Sequence, residues 1–313
     1  MTECWHRRGL AAALILVALG ACGDTGGASD ADAAGPTTDG YPAPRDDLVP
    51  RVGMDNAVDI ATWNVENFPQ LSTTPRFLAD LITSVELDLV AVEEIANVDA
   101  FNELVARLPN HSGLLSTHTY SSGEYQKVGF IYRHDYISVD SPTLLFQGDT
   151  YAFPRPPLQV NVGINTPSGP VQFVAIVVHL KAGVGTDDRD RRVAAITALE
   201  GYVRDLVAAG QTDVLLLGDF NEQLNTTAGM PVFEPFSSDP TDYRMRTQQL
   251  AAVGGVSFLP SAVMLDHVIS TAGLDVDFSD NKAQISRLDR QFNAYQTAIS
   301  DHLPVIVSMP ILE

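Results

Sequence analysis

From residue 58 onward, short apolar runs alternate with amphipathic stretches along the chain. The Val-, Ile- and Leu-rich runs predict buried β-strands at residues 59–64, 87–92, 127–133, 158–164, 171–178, 213–218, 262–270 and 303–309. The amphipathic stretches predict helices at residues 76–85, 99–108 and 188–209. The third helix carries one apolar stripe, formed by Val193, Ile196, Leu199, Val203 and Leu206. This alternation predicts a layered α/β fold instead of an all-β fold or a helical bundle.

The first 22 residues have the pattern of an export signal. Arg7 and Arg8 precede an apolar stretch at residues 10–19 that is too short to span a bilayer comfortably. The following Leu19-Gly20-Ala21-Cys22 resembles a bacterial lipoprotein processing site. That resemblance implies cleavage before Cys22 and acylation of Cys22, so we expect an exported protein anchored to a membrane of the cell envelope. The alternative is an ordinary signal peptide in which Cys22 is incidental, and the sequence leaves open which membrane would be used.

Composition divides the rest of the chain into a linker and a body. Residues 23–55 are rich in Gly, Ala, Asp, Thr and Pro without apolar periodicity, which predicts a flexible linker. Residues 56–313 form the predicted catalytic domain. Cys4 would leave with the signal peptide and Cys22 would carry lipid, so no disulfide is expected and the core alone must hold the fold together.

Polar groups stand beside the predicted strands in short segments spread along the chain. These segments are Trp63-Asn64-Val65-Glu66, Val92-Glu93-Glu94, Val178-His179-Leu180-Lys181, Gly218-Asp219-Phe220-Asn221, Leu265-Asp266 and Ser300-Asp301-His302. Carboxylates, amides and imidazoles are the groups that phosphate ester hydrolysis requires for a hard cation, a positioned water and charge stabilisation.

In this order, the segments resemble the endonuclease/exonuclease/phosphatase superfamily, the deoxyribonuclease I-like metal-dependent phosphoesterases. The resemblance covers roughly residues 56–313. It implies a four-layer α-β-β-α sandwich, in which two packed mixed β-sheets are flanked by helices. It also implies an active site at one edge, where the loops of both sheets meet.

The resemblance implies a metal site built from Asn64, Glu94 and Asp301. Glu94 matches the principal ligand for Mg²⁺, with Mn²⁺ or Ca²⁺ as alternatives, and hard oxygen ligands suit these ions. Asn64 is expected to contact the metal or the scissile phosphate, and Asp301 to lie near the metal. Glu66 is a weaker candidate ligand. Glu93 could support the site or could be a solvated or core-edge carboxylate without metal contact.

The resemblance assigns the catalytic chemistry to five further residues. Asp219 would orient or deprotonate the attacking water, while Asn221 and His179 would donate to the phosphoryl group. His302 would be paired with Asp266, which suits proton transfer or phosphate stabilisation near neutral pH. Either Asp219 or His302 could be the general base, and the sequence does not decide between them.

Two cationic residues are candidate substrate ligands. Arg155 resembles a substrate-side arginine of family nucleases, and guanidinium suits bidentate phosphate binding. Lys181 follows His179 closely and could add positive charge toward the substrate. Another three arginines open the third predicted helix and are interpreted as a solvated face: Arg189, Arg191 and Arg192.

Charge limits the substrate. The chain holds 19 Lys and Arg against 39 Asp and Glu, a formal net charge of −20, which opposes binding of duplex DNA. A local basic groove of Lys127, Arg133, Arg155, Lys181 and Arg192 could still admit nucleic acid. The leading hypothesis is an extracytoplasmic nuclease or phosphodiesterase, acting as a monomer on nucleic acid or another phosphodiester. A sphingomyelinase-like or inositol-lipid phosphoesterase is the alternative, and a non-catalytic surface binding module on the same fold is a minor one.

Overall fold

The computed structural model describes residues 44–167, 169–275 and 282–310. The predicted signal peptide, Cys22 and most of the predicted linker lie outside these residues. Within the described ranges, no helix has both the length and the apolar character needed to cross a bilayer.

The described residues form two six-stranded β-sheets. The strands of the first sheet are β1 (Ala57–Phe68), β2 (Leu89–Ile95), β3 (His111–Leu115), β4 (Lys127–Arg133), β11 (Lys282–Ile285) and β12 (Val305–Pro310). Those of the second sheet are β5 (Ile137–Leu144), β6 (Leu158–Thr166), β7 (Gly169–His179), β8 (Val214–Asp219), β9 (Tyr243–Met245) and β10 (Asp266–Thr271).

The helices are mostly short, and one long helix stands out. They are α1 (Thr74–Val85), α2 (Val98–Ala106), α3 (Thr186–Ala208), α4 (Met230–Ser237), α5 (Gln248–Ala252) and α6 (Tyr295–Ala298). Three apolar clusters separate the layers: one between α1, α2 and the first sheet, one between the sheets, and one between the second sheet and the pair α3 and α4. The predicted four-layer sandwich of two mixed sheets flanked by helices is therefore confirmed.

Strand order brings two parallel pairs to the centre of the sheets. The orders are β11-β12-β1-β2-β4-β3 and β5-β6-β7-β8-β10-β9. β1 runs parallel to β2, and β7 runs parallel to β8, while their outer neighbours β12, β4, β6 and β10 are antiparallel. The carboxyl ends of the four central strands consequently gather at one edge of the sandwich.

Side-chain alternation along β1 explains which residues face the second sheet. Ala61 and Trp63 pack toward α1 and α2, whereas Val58 and Ile60 pack between the sheets. Because strand side chains alternate with a period of two, Asn64 continues the inward-facing row of Ile60. The same alternation directs the ends of β7 and β8 inward, since Phe173, Ala175 and Val177 belong to the cluster between the sheets, as do Leu215 and Leu217.

The eight predicted strands and three predicted helices all exist, with shifted ends. The end of the first predicted strand and the start of the seventh each shift by four residues, since β1 continues to Phe68 and β10 begins only at Asp266. The apolar stripe of α3 is narrower than predicted, because Val193 is 37% exposed while Ile196, Leu199 and Val203 are buried. Within the described ranges, four strands and three α-helices were not predicted: β3, β5, β9, β11, α4, α5 and α6.

The predicted end of the linker at residue 55 is too late. The Arg45 backbone N–H donates to Asp80 Oδ1 at 2.8 Å, and Gly53 N–H donates to the Val85 carbonyl at 2.9 Å. Val49 is only 4% exposed and joins the core beside α1. A flexible tether would not bury Val49 or form these backbone hydrogen bonds on both sides of it. Residues 44–55 therefore belong to the folded body.

Candidate active site

The carboxyl ends of the central strands meet across the two sheets. In the parallel register, Asn64 of β1 lies opposite Glu93 of β2, and His179 of β7 lies opposite Asp219 of β8. The Asn64 amide nitrogen donates to Asp219 Oδ2 at 3.1 Å, which joins the first sheet to the second. The predicted residues Asn64, His179 and Asp219 thus come together because all three end inward-facing rows.

A β-bulge directs Glu94 toward this junction. Strict alternation along β2 would place Glu94 on the helix side together with Val90 and Val92. The pairing of β2 with β1 and β4 is instead interrupted here, and Glu94 has a φ of 62°. Its carboxylate accepts from Asn64 Nδ2 at 3.2 Å and from Asn67 N–H at 3.0 Å. The bulge re-aims the side chain, as bulges near active sites commonly do.

Antiparallel neighbours supply the remaining groups. Asp266 lies within the predicted strand at residues 262–270, but in the structure it is the first residue of β10 and lies opposite Asp219. The predicted segment Ser300-Asp301-His302 likewise precedes β12. Since an antiparallel strand starts where its neighbour ends, these residues reach the same edge as Asn64 and Asp219.

His302 and Asp266 form a buried ion pair. Asp266 Oδ2 lies 2.8 Å from His302 Nδ1, so the imidazole Nδ1–H donates to the carboxylate. Burial by itself lowers the pKa of His302, but the carboxylates of Asp266, Asp219 and Asp301 outweigh it and raise the pKa to about 10. The surrounding carboxylates therefore favour the cationic form of His302 at neutral pH.

Three side chains hold the backbone of this segment against β1. Ser300 Oγ donates to the Asn64 carbonyl at 2.6 Å and accepts from His302 N–H at 2.9 Å. The hydroxyl of Tyr295 donates to the His302 carbonyl at 2.5 Å and accepts from Trp63 Nε1 at 3.0 Å. The position of His302 is thus set by the core of the first sheet.

The surroundings of His179, unlike those of His302, favour the neutral imidazole. Its burial, followed by the positive charges of Arg155 and His302, lowers the pKa of His179 well below its usual range. Its Nε2 lies 3.6 Å from both Glu94 Oε1 and Asp219 Oδ2. Its Nδ1 is buried and has no hydrogen-bond partner among the residues that the structure describes. A neutral imidazole at this place can donate one hydrogen bond to an anionic ligand.

Asp219 is poised to exchange a proton. Burial raises the pKa of Asp219 to about 7, with His302 opposing the rise and Asp266 adding to it. Its Oδ1 accepts from the backbone N–H of Asn221 at 2.8 Å. Asn221 has a φ of 53°, so a turn and not an extended strand brings its amide back beside the carboxylate.

The carboxylates around Glu94 fit a hard divalent cation. Burial and then the Asp301 charge raise the pKa of Glu66, while burial and the Glu94 charge raise that of Asp301. The Glu66 carboxylate also accepts from Asp301 N–H at 2.8 Å. Mutually repelling carboxylates that face one cavity are the ligand set expected for Mg²⁺ or Mn²⁺. Asn64, Glu94, Asp301 and Glu66 are the residues that would hold the ion.

A second acidic group lies deeper. Asp219, Asp266 and His302 each offer a ligand atom within 4.8 Å of the others. Here, however, the Nδ1 of His302 and the Oδ2 of Asp266 already bond to each other, whereas the Glu94 side offers several oxygen ligands of the kind that a hard cation prefers. The Glu94 side of the site therefore fits a cation better.

Glu93 is not a solvated carboxylate. It is fully buried between the sheets, and Thr62 Oγ1 donates to its Oε1 at 2.9 Å. Burial, together with the charges of Asp266 and Asp219, raises the pKa of Glu93 well above its usual value. Burial consequently favours the neutral form of this carboxyl group beneath the site.

A cavity of about 630 Å³ opens in front of these groups. Seven predicted site residues line it: Glu94, Arg155, His179, Asp219, Asn221, Asp301 and His302. Asn64 and Asp266 are buried behind this wall. Lys181 does not line the cavity, because its ammonium pairs with Asp188 Oδ1 at 2.8 Å. Contact of Lys181 with the substrate stays a prediction.

Arg155 forms part of the cavity wall. Its guanidinium donates to the carbonyls of His179 and Leu180, at 3.1 and 2.6 Å, and to Gln126 Oε1 at 3.0 Å. These bonds hold the end of β7 in place. Binding of substrate phosphate by Arg155 stays a prediction.

The predicted basic groove does not form. Arg192 is not on a solvated face; it is 1% exposed and donates to Glu222 Oε2 at 2.9 Å. Lys127 is buried and donates to the His118 carbonyl, while Arg133 pairs with Asp88 and Asp135. With Lys181 paired to Asp188 and Arg155 bound to backbone carbonyls, all five expected cations bind protein groups.

Several polar residues of the cavity were not predicted, among them Asn67, Gln126 and Glu222. Gln126 donates to Glu94 Oε2 at 3.2 Å and to Asn67 Oδ1 at 2.6 Å. Glu222 holds Arg189 and Arg192. Their positions in the sequence could have indicated Glu222 and Gln126 as site residues, because Glu222 directly follows Asn221 and Gln126 directly precedes a predicted strand.

The two-sheet sandwich and its acidic, histidine-containing edge define a class of phosphate-ester hydrolase. The sequence profile of the endonuclease/exonuclease/phosphatase family matches residues 61–302, and the chain belongs to this family. Members of the family are metal-dependent hydrolases of phosphoester bonds, and this protein is accordingly a phosphoesterase. No curated protein sequence matches the chain.

Solved structures share the fold at low sequence identity. The human Nocturnin catalytic domain with bound sulfate is 17% identical, with a TM-score of 0.61 over 86% of this chain and 100% of that one. D. rerio TDP2 complexed with a single-strand DNA product is 14% identical, with a TM-score of 0.59 over 81% and 99%. A mannosyl-6-phosphatase from Bacteroides thetaiotaomicron is 14% identical, with a TM-score of 0.55 over 80% and 98%.

Proposed function

We propose that the protein is an extracytoplasmic phosphodiesterase that hydrolyses phosphodiester bonds of nucleic acid by in-line attack of water. One observation carries the proposal: Asn64, Glu94, His179, Asp219 and His302, from separate segments of both sheets, meet around one cavity. This arrangement combines an acidic cation site with one neutral and one cationic imidazole. Hydrolysis of a phosphoryl group requires a cation on one side and hydrogen-bond donors or positive charge on the other, to stabilise its oxygens in the transition state.

The chain's own residues divide the chemistry between them. The Asp219 carboxylate, with its pKa near 7, would orient the attacking water and accept its proton. The Asn221 amide and the neutral His179 would donate hydrogen bonds to the non-bridging oxygens. Nothing in this scheme requires a covalent enzyme intermediate.

His302 would stabilise the charge that develops in the transition state. The Asp266 carboxylate keeps the imidazole cationic and fixes its orientation through Nδ1. The His302 Nε2 then points toward Asp219 Oδ2, at 3.8 Å, and toward Asp301 Oδ1, at 3.9 Å. Because the surrounding carboxylates raise the pKa of His302 to about 10, His302 would be a poor base at neutral pH, which favours Asp219 as the base.

The cation site would lie on the other side of the phosphoryl group. Glu94, Asn64, Asp301 and Glu66 would hold Mg²⁺ or Mn²⁺. When bound, a divalent cation supplies Lewis-acid polarisation of a phosphoryl oxygen and offsets charge on the leaving oxygen.

The N-terminal sequence supports an extracytoplasmic location. Arg7, Arg8 and the apolar stretch before Leu19-Gly20-Ala21-Cys22 have the order of a lipoprotein export signal. Acylation of Cys22 would hold the catalytic body at a membrane of the cell envelope. Metabolic labelling with a radioactive fatty acid, in wild type and in the Cys22→Ser variant, tests this part of the proposal; equal labelling would contradict it.

The activity is tested by offering several phosphodiesters to the purified full-length protein. Single-stranded DNA, RNA and sphingomyelin or phosphatidylinositol vesicles are incubated with Mg²⁺ and with chelator. Chelator-sensitive cleavage of nucleic acid is the expected result. Headgroup release with intact nucleic acid would overturn the proposal in favour of a lipid phosphoesterase, and a folded protein inactive on every substrate would indicate a binding module.

A further inference from the structure

One wall of the active-site cavity is apolar, and the proposed chemistry does not use it. Phe258, Val263, Leu265 and the exposed Val184 line the cavity together with the catalytic groups. The Phe258 ring is half-buried, and its centroid lies 4.8 Å from that of His302, with the ring planes tilted by 46°. An aromatic ring therefore borders the place where the phosphoryl group would bind.

The segment that carries Phe258 is firmly held. Phe258 N–H donates to the Val263 carbonyl at 2.9 Å, and the two residues form a β-bridge. Leu259 N–H donates to the Asp301 carbonyl at 2.9 Å, and Leu303 N–H donates to the Ser257 carbonyl at 2.7 Å. The short turn is thus tied to both sides of His302, which fixes the ring relative to the imidazole.

The cations of the cavity have little capacity for additional phosphates. Arg192 is 1% exposed, with its guanidinium bound to Glu222 and to the carbonyls of Lys181 and Gly183. Arg189 shares the same Glu222 carboxylate at 3.2 Å. Arg155 uses its three nitrogens on protein acceptors.

The carboxylates of the cavity oppose a polyanion. Five line it: Glu66, Glu94, Asp219, Glu222 and Asp301. A divalent cation offsets two of these charges, and binding several phosphates normally requires a row of available Lys or Arg. The wall chemistry suits one phosphate beside one flat apolar group.

We propose that the site takes a single phosphodiester whose neighbouring nucleobase stacks on Phe258, without gripping a second phosphate of the strand. This inference rests on the proposed nucleic-acid phosphodiesterase activity and names its substrate class. Every nucleobase has a flat π-face, so an aromatic side chain can stack on any base. Such stacking therefore tolerates any nucleotide sequence. The minimal substrate is accordingly a dinucleoside monophosphate.

Chain length provides the first test. The dinucleotide dTpT and a dodecamer of oligo-dT are hydrolysed by the full-length wild-type protein with saturating Mg²⁺. We expect kcat/KM per phosphodiester to agree within about threefold, because only one phosphate is held. A dodecamer preferred by more than about tenfold would overturn the inference while leaving the proposed function intact. Cleavage of neither substrate, with RNA also left intact, would refute the proposed function itself.

Phe258 variants provide the second test. Loss of one base-stacking contact should raise KM for dTpT by roughly 5- to 150-fold in Phe258→Ala, with kcat changed far less, and Phe258→Trp should restore KM. Phe77→Ala, at a distant aromatic pair with Phe292, serves as the matched control. If Phe258 only supported His302, the alanine and tryptophan variants would both lower kcat at unchanged KM, and the stacking role would be excluded. Far-UV circular dichroism verifies that each variant is folded.

Discussion

The Nδ1 of His302 donates to Asp266 Oδ2 at 2.8 Å, and this bond joins the start of β10 in one sheet to the segment before β12 in the other. The two residues are 36 positions apart, and antiparallel pairing with β8 and β1 brings them to the same edge. The buried carboxylate keeps the imidazole cationic, which prepares it to stabilise an anionic transition state.

Replacing Asp266 should therefore act on the rate and not on binding. In Asp266→Asn, the pKa of His302 falls and its ring loses its fixed orientation, so we expect kcat to drop about 10²- to 10⁴-fold with KM little changed. Steady-state kinetics on a phosphodiester measures this, with the exposed Asp140→Asn as control. A variant that retains more than about a third of wild-type kcat would contradict the role assigned to the pair.

Glu94 should determine cation affinity. Its carboxylate faces Asn64, Glu66 and Asp301, and Glu94→Gln removes one negative charge from this group while preserving its shape. We expect Mn²⁺ to bind at least about tenfold more weakly by titration calorimetry. The exposed Glu124→Gln should bind as wild type does; equal affinity in the two variants would place the cation elsewhere.

Activity should rise with pH through the neutral range. Burial raises the pKa of Asp219 to about 7, and only the deprotonated carboxylate can accept a proton from water. The fraction of active protein therefore falls as pH drops below about 7. A bound cation opposes the shift, so kcat/KM measured with saturating Mg²⁺ should have its midpoint at or below this value. A profile that decreases from pH 5 to pH 8 is the opposite of what this base predicts.

Tyr295 should contribute to stability as well as to the position of His302. Its hydroxyl lies between Trp63 Nε1 and the His302 carbonyl, all within the core. Tyr295→Phe leaves the buried indole N–H without a partner, which costs about 1–3 kcal/mol in the free energy of unfolding. Urea denaturation measures the loss. The exposed Tyr151→Phe is the control, and an unchanged midpoint for Tyr295→Phe would mean that water replaces the hydroxyl.

Asp59 should make stability depend on pH away from the active site. Burial raises its pKa to about 6, although the Ser308 hydroxyl and Met54 N–H hydrogen-bond to it. The folded state then binds more protons than the unfolded state between about pH 4 and pH 6, so this group's contribution to stability decreases as pH rises through that window. Asp59→Asn mimics the neutral acid and should gain in Tm over wild type as pH rises from 4 to 7. A constant Tm difference across this range would exclude the linkage.

Burial explains which strands the sequence predicted. The four unpredicted strands are the outer strands of the two sheets, β3 and β11 in the first and β5 and β9 in the second. Edge strands are covered on fewer sides; β5, for instance, has one fully buried residue in eight. Such strands lack a continuous apolar run, so periodicity does not reveal them.

Ion pairing explains the errors about charge. Lys181 and Arg192 are close in sequence to His179 and the start of α3, but Asp188 and Glu222 pair with their charged ends. The conformation of the loops decides which acidic residue pairs with a given cation. The partner can be distant in the sequence, as Glu222 is from Arg192, thirty residues away. Sequence alone therefore located the basic residues without revealing which of them were already neutralised.

The sequence by itself determined the layered α/β fold and the residue types at the ends of its central strands. Apolar runs specify buried strands locally. Polar residues directly after such runs are not needed for the core, so they indicate a functional site. Only the tertiary structure decided that a bulge turns Glu94 into the site, that Arg192 is buried, and that Phe258 borders His302. Each of these depends on register or loop contacts between distant segments, which the order of residues along a strand does not encode.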